Sequence, residues 1–270
     1  MPTGYPNDFV ADWLDRALAL PRHRGRPPVF AIAGLQGTGK STLAAQIQAL
    51  GAHRGLRVAV LSIDDFYLGR RERRALGRDV HPLLATRGPP GTHDVALACA
   101  TVDALRALRR GDIARLPRFD KIADRRLRAS RWTKVGERPD LVVFEGWFLK
   151  VPPEENAALA IPLNALERDE DPHGTWRRYC NARLRHYDRL WRRLDYLLFL
   201  QGPGFEQVPA WRWQQERTLQ AKHPGRRAMA RAEVERFVLF FERVSRQALR
   251  TLPALADATV RLDARRRPLA

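Results

Sequence analysis

Short apolar runs recur along the chain and alternate with longer segments in which apolar residues return at helical spacing. Strands that alternate with helices are typical of a parallel sheet covered by helices on both faces. The pattern therefore predicts an α/β fold with a doubly wound, five-stranded and mainly parallel sheet flanked by helices. The predicted strands are Val29–Ala33, 58–63, 141–144, 196–200 and 259–262.

The same periodicity predicts the helices. The segment 41–50 carries apolar residues on one face, and 94–110 begins at Asp94, a residue type that caps helix N-termini. A helix near the N-terminus is expected to cover an edge of the domain, and two more helices, one rich in arginine and one in aromatic residues, are expected toward the C-terminus. These three helices are predicted at 8–20, 176–193 and 232–252.

Two irregular segments interrupt the alternation. The first, 69–93, has few apolar residues and is predicted to be a loop that carries substrate contacts. The second, 201–231, is polar, aromatic and rich in arginine, and is predicted to be a helical lid insertion. The basic tail 265–267 is interpreted as a frayed end. With 270 residues the chain has room for one large domain, so 1–270 is predicted to be a single domain.

The charge of the chain bears on its possible partners. The formal net charge of +18 raises the possibility of a nucleic-acid partner. However, the arginines are scattered, and no zinc-finger spacing, RNP-type motif or basic leucine zipper occurs. A positive field equally suits an enzyme that handles anionic substrates, so nucleic acid is disfavoured. Lysine is scarce and occurs at five positions, which are Lys40, Lys121, Lys134, Lys150 and Lys222.

The cysteine content and the lack of long apolar runs bear on location. Cys99 and Cys180 are too few for a disulfide framework, and no leader pattern or run of membrane-spanning length is visible. We therefore expect a cytoplasmic protein without membrane contact. The sequence does not predict the oligomeric state.

A phosphate-binding motif follows the first strand. The residues GLQGTGKS at 34–41 satisfy the pattern G-x-x-x-x-G-K-S/T between a predicted strand and a predicted helix. In such a loop backbone N–H groups surround a polyphosphate, the lysine reaches the β- and γ-phosphates, and the hydroxyl of the last residue faces a magnesium ion. The sequence thus predicts an ATP site that includes Gly34, Gln36, Gly37, Thr38, Gly39, Lys40, Ser41 and Thr42.

The ends of the other strands favour a kinase over other P-loop proteins. The sequence lacks the N-K-x-D motif that marks a guanine-specific GTPase. The third strand ends in Glu145 and not in the paired acids typical of a hydrolytic P-loop ATPase. The second strand ends in Asp64 and Asp65, where a carboxylate can accept a hydrogen bond from a substrate hydroxyl. Glu145, with Ser41, is the predicted Mg²⁺ side of the site. Which of the two aspartates is the base stays open.

Several motifs resemble the D-glycerate 3-kinase family, within the wider group of uridine kinase, pantothenate kinase and phosphoribulokinase. The wider group is indicated by DDFY at 64–67 and by Glu145-Gly146. The narrower resemblance is carried by RGPPGTHD at 87–94, PRFDK at 117–121, FEGWF at 144–148, LNALERDEDPHGTWRRYCN at 163–181 and WRWQQE at 211–216. Many members of the family have a glycine shortly after the EGW motif, where this chain has Lys150.

The resemblance implies a phosphotransferase that uses ATP and Mg²⁺ to phosphorylate the 3-hydroxyl of D-glycerate. Asp64 then takes the position of the catalytic acid of the wider group, beside Lys40. The small carboxylate substrate needs a cation for its carboxylate and polar groups for its hydroxyls. The candidates for substrate binding are Asp65, Tyr67, Arg87, His93 and Lys121.

Other interpretations stay open. The predicted lid carries Arg212 and Arg217 as candidates for contact with the transferred phosphoryl group, although a solvated face explains any single arginine as well. Trp147, Trp211 and Trp213 are interpreted as packing residues. The acceptor could be another small alcohol, such as a uridine- or pantothenate-like compound. A regulatory ATP-binding or nucleic-acid-binding protein is the third alternative.

Overall fold

The computed structural model describes residues 4–222, 225 and 229–269, and nine strands lie in this part of the chain. They are β1 (Val29–Ala33), β2 (Val58–Ser62), β3 (Ala114–Leu116), β4 (Phe119–Asp120), β5 (Arg125–Arg126), β6 (Thr133–Val135), β7 (Leu141–Gly146), β8 (Tyr196–Gln201) and β9 (Ala258–Arg261).

Five of these described strands form one sheet in the order β2-β7-β1-β8-β9, and every neighbouring pair is parallel. All residues of β1 and β7 are buried, as expected for central strands covered on both faces. The doubly wound five-stranded sheet predicted from the sequence is confirmed. The remaining described strands pair as two short antiparallel ribbons, β3 with β6 and β4 with β5.

Helices cover both faces of the sheet. The described helices are α1 (Asn7–Leu18), α2 (Lys40–His53), α3 (Arg70–Asp79), α4 (Val95–Ala107), α5 (Ala165–Glu170), α6 (Thr175–Leu184), α7 (Asp188–Trp191), α8 (Val208–Lys222) and α9 (Arg231–Leu255). One apolar core lies between the sheet and α1 with α2, and a larger one lies on the other face with α4, α6, α7 and α9.

The register of the sheet brings three strand ends together. Ala33 at the end of β1 pairs with Gly146 of β7, and Ser62 at the end of β2 pairs with Glu145. The segments that follow β1, β2 and β7 therefore leave the sheet at the same edge. This edge is where ligands of open α/β sheets bind.

Two predicted elements differ from the structure. The helix predicted at 176–193 is divided into α6, a 3₁₀ turn at Arg185–Tyr187, and α7. The loop predicted at 69–93 contains α3, so that prediction was wrong for ten residues. In α3 the buried residue is Arg73, whose guanidinium donates to the carbonyls of Leu68 and Ala85. The helix is anchored by polar contacts instead of an apolar stripe, so hydrophobic periodicity gave no signal for it.

The predicted lid 201–231 contains the helix α8, and its residues 223, 224 and 226–228 lie outside the described part of the chain. Within the described ranges, no helix is long and apolar enough to cross a membrane. Cys99 and Cys180 are both buried free thiols.

Candidate active site

The phosphate-binding loop turns sharply between β1 and α2. Gly37 and Gly39 have φ angles of +89° and +94°, a region that strains any residue with a Cβ atom. A Cβ atom on Gly37 would lie 2.5 Å from the Cβ of Trp211, and one on Gly39 would lie 2.8 Å from the hydroxyl oxygen of Tyr5. The turn and the side chains packed against it therefore both require glycine here.

Lys40 is the first residue of α2, and its side chain folds back over the loop. Its Nζ donates a hydrogen bond to the carbonyl of Leu35 at 2.8 Å, and the side chain is buried. Burial lowers the pKa of Lys40, while the negative charges of Glu145 and Asp64 act in the opposite direction. The ammonium group is thus placed in the loop by a backbone carbonyl that an anionic ligand can replace.

Ser41 and Glu145, the residues predicted for the magnesium side of the site, meet at the edge of the sheet. The Ser41 hydroxyl donates to Oε1 of Glu145 at 2.9 Å, and Glu145 is buried at the end of β7. Oxygen ligands are those that Mg²⁺ prefers, and Mg²⁺ is commonly held by one or two protein groups together with phosphate and water. The pair therefore fits this ion.

Two residues that sequence reasoning missed brace the loop from outside. The Tyr5 hydroxyl donates to the carbonyl of Thr38 at 2.6 Å, and Nε of Arg266 donates to the carbonyl of Gly37. Arg266 also lies over the ring of Trp211, with its guanidinium carbon 5.1 Å from the ring centroid. The Trp211 indole N–H donates to the carbonyl of Ala264 at 3.0 Å. The tail interpreted as a frayed end is therefore part of the loop's support, and that interpretation was wrong.

Asp64 stands in a 3₁₀ turn, Ile63–Phe66, directly after β2. Its Oδ1 accepts a hydrogen bond from the Tyr67 hydroxyl at 2.8 Å, and its Oδ2 accepts one from Nζ of Lys121 at 2.6 Å. Burial by itself would raise the pKa of Asp64, but the charge and hydrogen bond of Lys121 and the hydrogen bond of Tyr67 hold it well below its usual range. Asp64 is thus ionised and held in place from both sides.

Asp65 turns away from this group. Its carboxylate accepts hydrogen bonds from Nη1 of Arg118 at 2.8 Å and from the backbone N–H of Phe119 at 3.0 Å. Burial raises the pKa of Asp65, with the charge of Arg118 acting against it. Asp65 therefore attaches the segment before Lys121 to the end of β2, and it does not line the cavity described next.

The phosphate-binding loop and Asp64 share an open cavity of about 530 Å³. Of the residues in the predicted ATP site, Gly34 and Thr38 do not line it, whereas six do: Gln36, Gly37, Gly39, Lys40, Ser41 and Thr42. The same cavity is lined by Asp64, Tyr67, Arg87, Lys121 and Glu145. The structure thus brings most of the predicted site residues around one space.

Arg87 is held at the cavity by a carboxylate that sequence reasoning missed. Its Nη1 donates to Oδ1 of Asp124 at 2.7 Å, and the other oxygen, Oδ2, accepts from Nη2 of the fully buried Arg73 at 2.7 Å. Asp124 itself has a φ of +50°. This chain of ion pairs links α3 to the loop after β4 and fixes the position of one cation of the site.

His93 lies behind the cavity wall and supports Tyr67. The two ring centroids are 4.6 Å apart, and Nδ1 of His93 is 2.8 Å from the hydroxyl oxygen of Tyr187. Burial lowers the pKa of His93 to about 3, although the charge of Asp64 acts in the opposite direction. The imidazole is neutral at physiological pH, and substrate contact by His93 stays a prediction.

The two predicted lid arginines are placed differently. Arg212 lines the cavity, forms an ion pair with Glu216 at 3.5 Å and lies over the ring of Phe237. Arg217 is exposed on α8 and does not line the cavity. In this arrangement only the first of them borders the space around the phosphate-binding loop.

An aromatic wall, formed by Trp147, Phe237 and Phe241, closes one side of the cavity. The rings of Trp147 and Phe241 meet edge to face with centroids 5.1 Å apart, and those of Phe241 and Phe237 are 5.0 Å apart. After Trp147 the chain turns at Lys150, whose φ of +57° lies in the left-handed region that favours glycine. Lys150 thus adopts a backbone conformation that glycine, the residue found here in many members of the family, adopts without strain.

Comparison with known proteins gives three informative matches. The chain is 31% identical over 227 residues to a Schizosaccharomyces pombe protein described as uncharacterized kinase mug58. This match covers 81% of this chain and 79% of that protein. The chain is 28% identical to the chloroplastic D-glycerate 3-kinase of Arabidopsis thaliana over 224 residues. This match covers 78% of this chain but 45% of that protein. The structure is similar to that of D-glycerate 3-kinase from Cryptococcus neoformans, with a TM-score of 0.78 and 26% identity over 99% of both chains. No family model matches the sequence.

Proposed function

We propose that this chain, which belongs to the D-glycerate 3-kinase-like family of P-loop kinases, transfers the γ-phosphoryl group of ATP to the 3-hydroxyl of D-glycerate. The family resemblance predicted from the sequence motifs is confirmed, and the chain is a small-molecule kinase that binds nucleotide. D-glycerate as the acceptor is the proposal. The observation that carries it is the hydrogen-bonded pair of Asp64 and Lys121, which lines the same cavity as the phosphate-binding loop.

The nucleotide side of the cavity suits ATP with Mg²⁺. The loop N–H groups and the start of α2 surround the phosphates, and Lys40 exchanges the carbonyl of Leu35 for phosphate oxygen. Ser41 and Glu145 would hold Mg²⁺. When bound, the ion neutralises charge on the phosphate oxygens.

The support of the loop by Arg266 gives a prediction for ATP affinity. We expect Arg266→Ala to raise the KM for ATP about 5-fold, because the carbonyl of Gly37 and the ring of Trp211 each lose one contact. Steady-state kinetics with ATP as the varied substrate measure this effect. The matched control is Arg265→Ala, because Arg265 is exposed beside it; equal KM values for the two variants would contradict the bracing role.

On the acceptor side, Asp64 orients the hydroxyl. Its carboxylate accepts a hydrogen bond from the 3-hydroxyl, whose oxygen attacks the γ-phosphorus. The bond from that phosphorus to the β–γ bridging oxygen breaks, and its electron pair leaves with ADP. The hydroxyl proton passes to Asp64 and then to water. Because the pKa of Asp64 lies well below its usual range, the carboxylate mainly positions the nucleophile and stabilises its developing positive charge.

The cations beside Asp64 suit a small anionic acceptor. Lys121 donates to Asp64 in the structure and can turn to a substrate carboxylate, since its side chain is exposed. Arg87, held by Asp124, supplies a planar guanidinium that matches a carboxylate. Glycerate offers one carboxylate and two hydroxyls to these groups.

The aromatic wall favours a second candidate, a nucleoside acceptor, because bases stack on or against aromatic rings. Both candidates are kinases with the same Asp64 and Lys40, so they differ in the acceptor alone. A panel of acceptors therefore decides between them.

The experiment measures ATP consumption by the purified protein with Mg²⁺ and D-glycerate, L-glycerate, uridine or pantothenate. We expect turnover with D-glycerate, and a 3-phosphate ester in the product by phosphorus NMR. Preparing Asp64→Asn in the same way controls for contaminating kinases. Turnover of uridine and not of D-glycerate would replace the proposal by the second candidate. The cytoplasmic location also stays a prediction, and the buried free thiols Cys99 and Cys180 are compatible with it.

A further inference from the structure

We propose that Lys121 is a specificity-determining gate. Its ammonium group covers the carboxylate of Asp64 before an acceptor binds, and the carboxylate of the acceptor draws it away so that Asp64 can receive the acceptor hydroxyl. This inference rests on the proposed function and deepens it. It makes an anionic group on the acceptor a condition for phosphoryl transfer and not only a source of affinity, so the substrate class is hydroxy acids.

The carboxylate of Asp64 is engaged at both oxygens. The hydroxyl of Tyr67 donates to Oδ1 at 2.8 Å, and Nζ of Lys121 donates to Oδ2 at 2.6 Å. An alcohol that Asp64 orients for attack must donate to one of these oxygens. Tyr67 is buried, whereas the side chain of Lys121 is 58% exposed. Oδ2 is therefore the oxygen that can be uncovered, and a movement of Lys121 uncovers it.

The backbone around Lys121 is held in place, so the side chain can move alone. Two residues before it, the backbone N–H of Phe119 donates to the carboxylate of Asp65 at 3.0 Å. Directly after it, two successive backbone N–H groups donate to Oδ1 of Asp120, at 3.0 and 2.9 Å. Within the described part of the chain, the ammonium group has a single hydrogen-bond acceptor, Oδ2 of Asp64. This one contact decides where the ammonium group lies.

Arg87 supplies a second, fixed cation in the same cavity. Its Nη1 donates to Oδ1 of Asp124 at 2.7 Å. The charge of Asp64 raises the pKa of Lys121 and the charge of Arg87 lowers it, so the two cations act on each other. A carboxylate bound between them replaces this repulsion by two attractions. It therefore offers the ammonium group of Lys121 a partner that competes with Asp64.

The gate has a consequence for water, which reaches the same open cavity. A carboxylate that orients an alcohol can also orient water, whose oxygen then attacks the γ-phosphorus. The bond to the β–γ bridging oxygen breaks, its electron pair leaves with ADP, the proton passes to Asp64, and inorganic phosphate forms. Lys121 opposes this hydrolysis because it occupies Oδ2. Burial raises the pKa of Asp64, and Lys121 also lowers it, so the covered carboxylate accepts a proton less readily.

The first test measures ATP hydrolysis without any acceptor. We expect Lys121→Met to release inorganic phosphate at least about 10-fold faster than the wild-type protein, because Asp64 is no longer covered. Lys134→Met is the matched control, since Lys134 is exposed and does not line the cavity, and it should keep the wild-type rate. Adding Asp64→Asn to Lys121→Met should remove the gain. A rate in Lys121→Met no higher than that of the wild type, or a gain that survives Asp64→Asn, would overturn the inference.

A second test opens the gate without a group that can be phosphorylated. D-lactate has the carboxylate and the 2-hydroxyl of D-glycerate, with a hydrogen atom in place of the 3-hydroxyl. We expect D-lactate to raise ATP hydrolysis by the wild-type protein about 10-fold and to leave the rate of Lys121→Met unchanged. Glycerol, which has hydroxyls but no carboxylate, should not stimulate hydrolysis. Equal rates with D-lactate and with glycerol in the wild-type protein would contradict the gate.

A spectroscopic measurement follows the side chain itself. The chain has five lysines, so in protein labelled with ¹³C-lysine the Cε signal that is missing from Lys121→Met belongs to Lys121. We expect it to move at the D-lactate concentrations that inhibit phosphorylation of D-glycerate, and an unmoved signal would overturn the inference. If the wild-type protein uses another acceptor from the panel, the proposed function fails. The hydrolysis measured without an acceptor then still decides whether Lys121 covers Asp64.

Discussion

Asp64→Asn is expected to lower kcat about 10³-fold and to leave the affinity for ATP within about 2-fold. The amide keeps the shape of the side chain and can still accept from Tyr67 or Lys121, but it lacks the negative charge that orients the acceptor hydroxyl and receives its proton. The phosphate-binding loop keeps all its residues in this variant, so the affinity for ATP should change little, although Lys40 loses the attraction of the Asp64 charge. Steady-state kinetics with D-glycerate and titration calorimetry with ATP measure the two effects separately.

Asp65→Asn is the matched control for this prediction. Asp65 holds Arg118 and the backbone of Phe119, and an amide oxygen preserves the second of these contacts. We therefore expect a loss of kcat below about 10-fold, together with a lower stability of the loop that carries Lys121. Equal small losses in the two variants would refute a base at the end of β2. A larger loss in Asp65→Asn would assign the role to the other aspartate.

The site residues that could be predicted from the sequence lie directly after strands, and the strands are visible as short apolar runs. Strands β1, β2 and β7 are apolar runs, and in a parallel sheet such runs bring their carboxyl ends to one edge. The sequence therefore predicts that Lys40, Asp64 and Glu145 surround one ligand. The same reasoning treated Asp64 and Asp65 as a pair, because it could not show that the 3₁₀ turn directs their side chains to different neighbours.

The missed residues depend on contacts between distant segments. Arg266 is 229 positions from the carbonyl of Gly37 that it holds, and Asp124 binds Arg73 and Arg87 from a separate ribbon. No periodicity or motif marks such partners in a chain with many scattered arginines.

The arginine-rich composition also has a structural explanation that patterning did not give. Arg177 is buried against Asp171, and Arg243 of α9 bridges Glu154 and Glu167. Removing one partner of such a buried pair leaves an uncompensated charge, which is strongly destabilising. Part of the positive charge is thus neutralised by buried carboxylates within the fold. Lys121, by contrast, lines the cavity and is exposed.

Lys121→Met is expected to lower kcat/KM for D-glycerate about 100-fold. The change removes the cation proposed to meet the substrate carboxylate and also the closest positive charge to Asp64, 2.6 Å away. The variant should keep its fold, because the side chain of Lys121 is 58% exposed. Lys134→Met, on the exposed ribbon strand β6 outside the cavity, is the matched control and should leave kcat/KM unchanged.

The pH dependence of the Lys121 variant tests the link to Asp64. Burial raises the pKa of Asp64, and in the wild-type protein Lys121 and Tyr67 outweigh it and hold the pKa below its usual range. Without Lys121 the effect of burial gains weight, so the pKa rises and Asp64 becomes protonated at a higher pH. Because the reaction needs the ionised carboxylate, the acid limb of kcat/KM should move to higher pH in Lys121→Met and stay in place in Lys134→Met. An acid limb at the same pH in both variants would show that the charge of Lys121 does not control Asp64, and that its contribution is limited to binding the substrate.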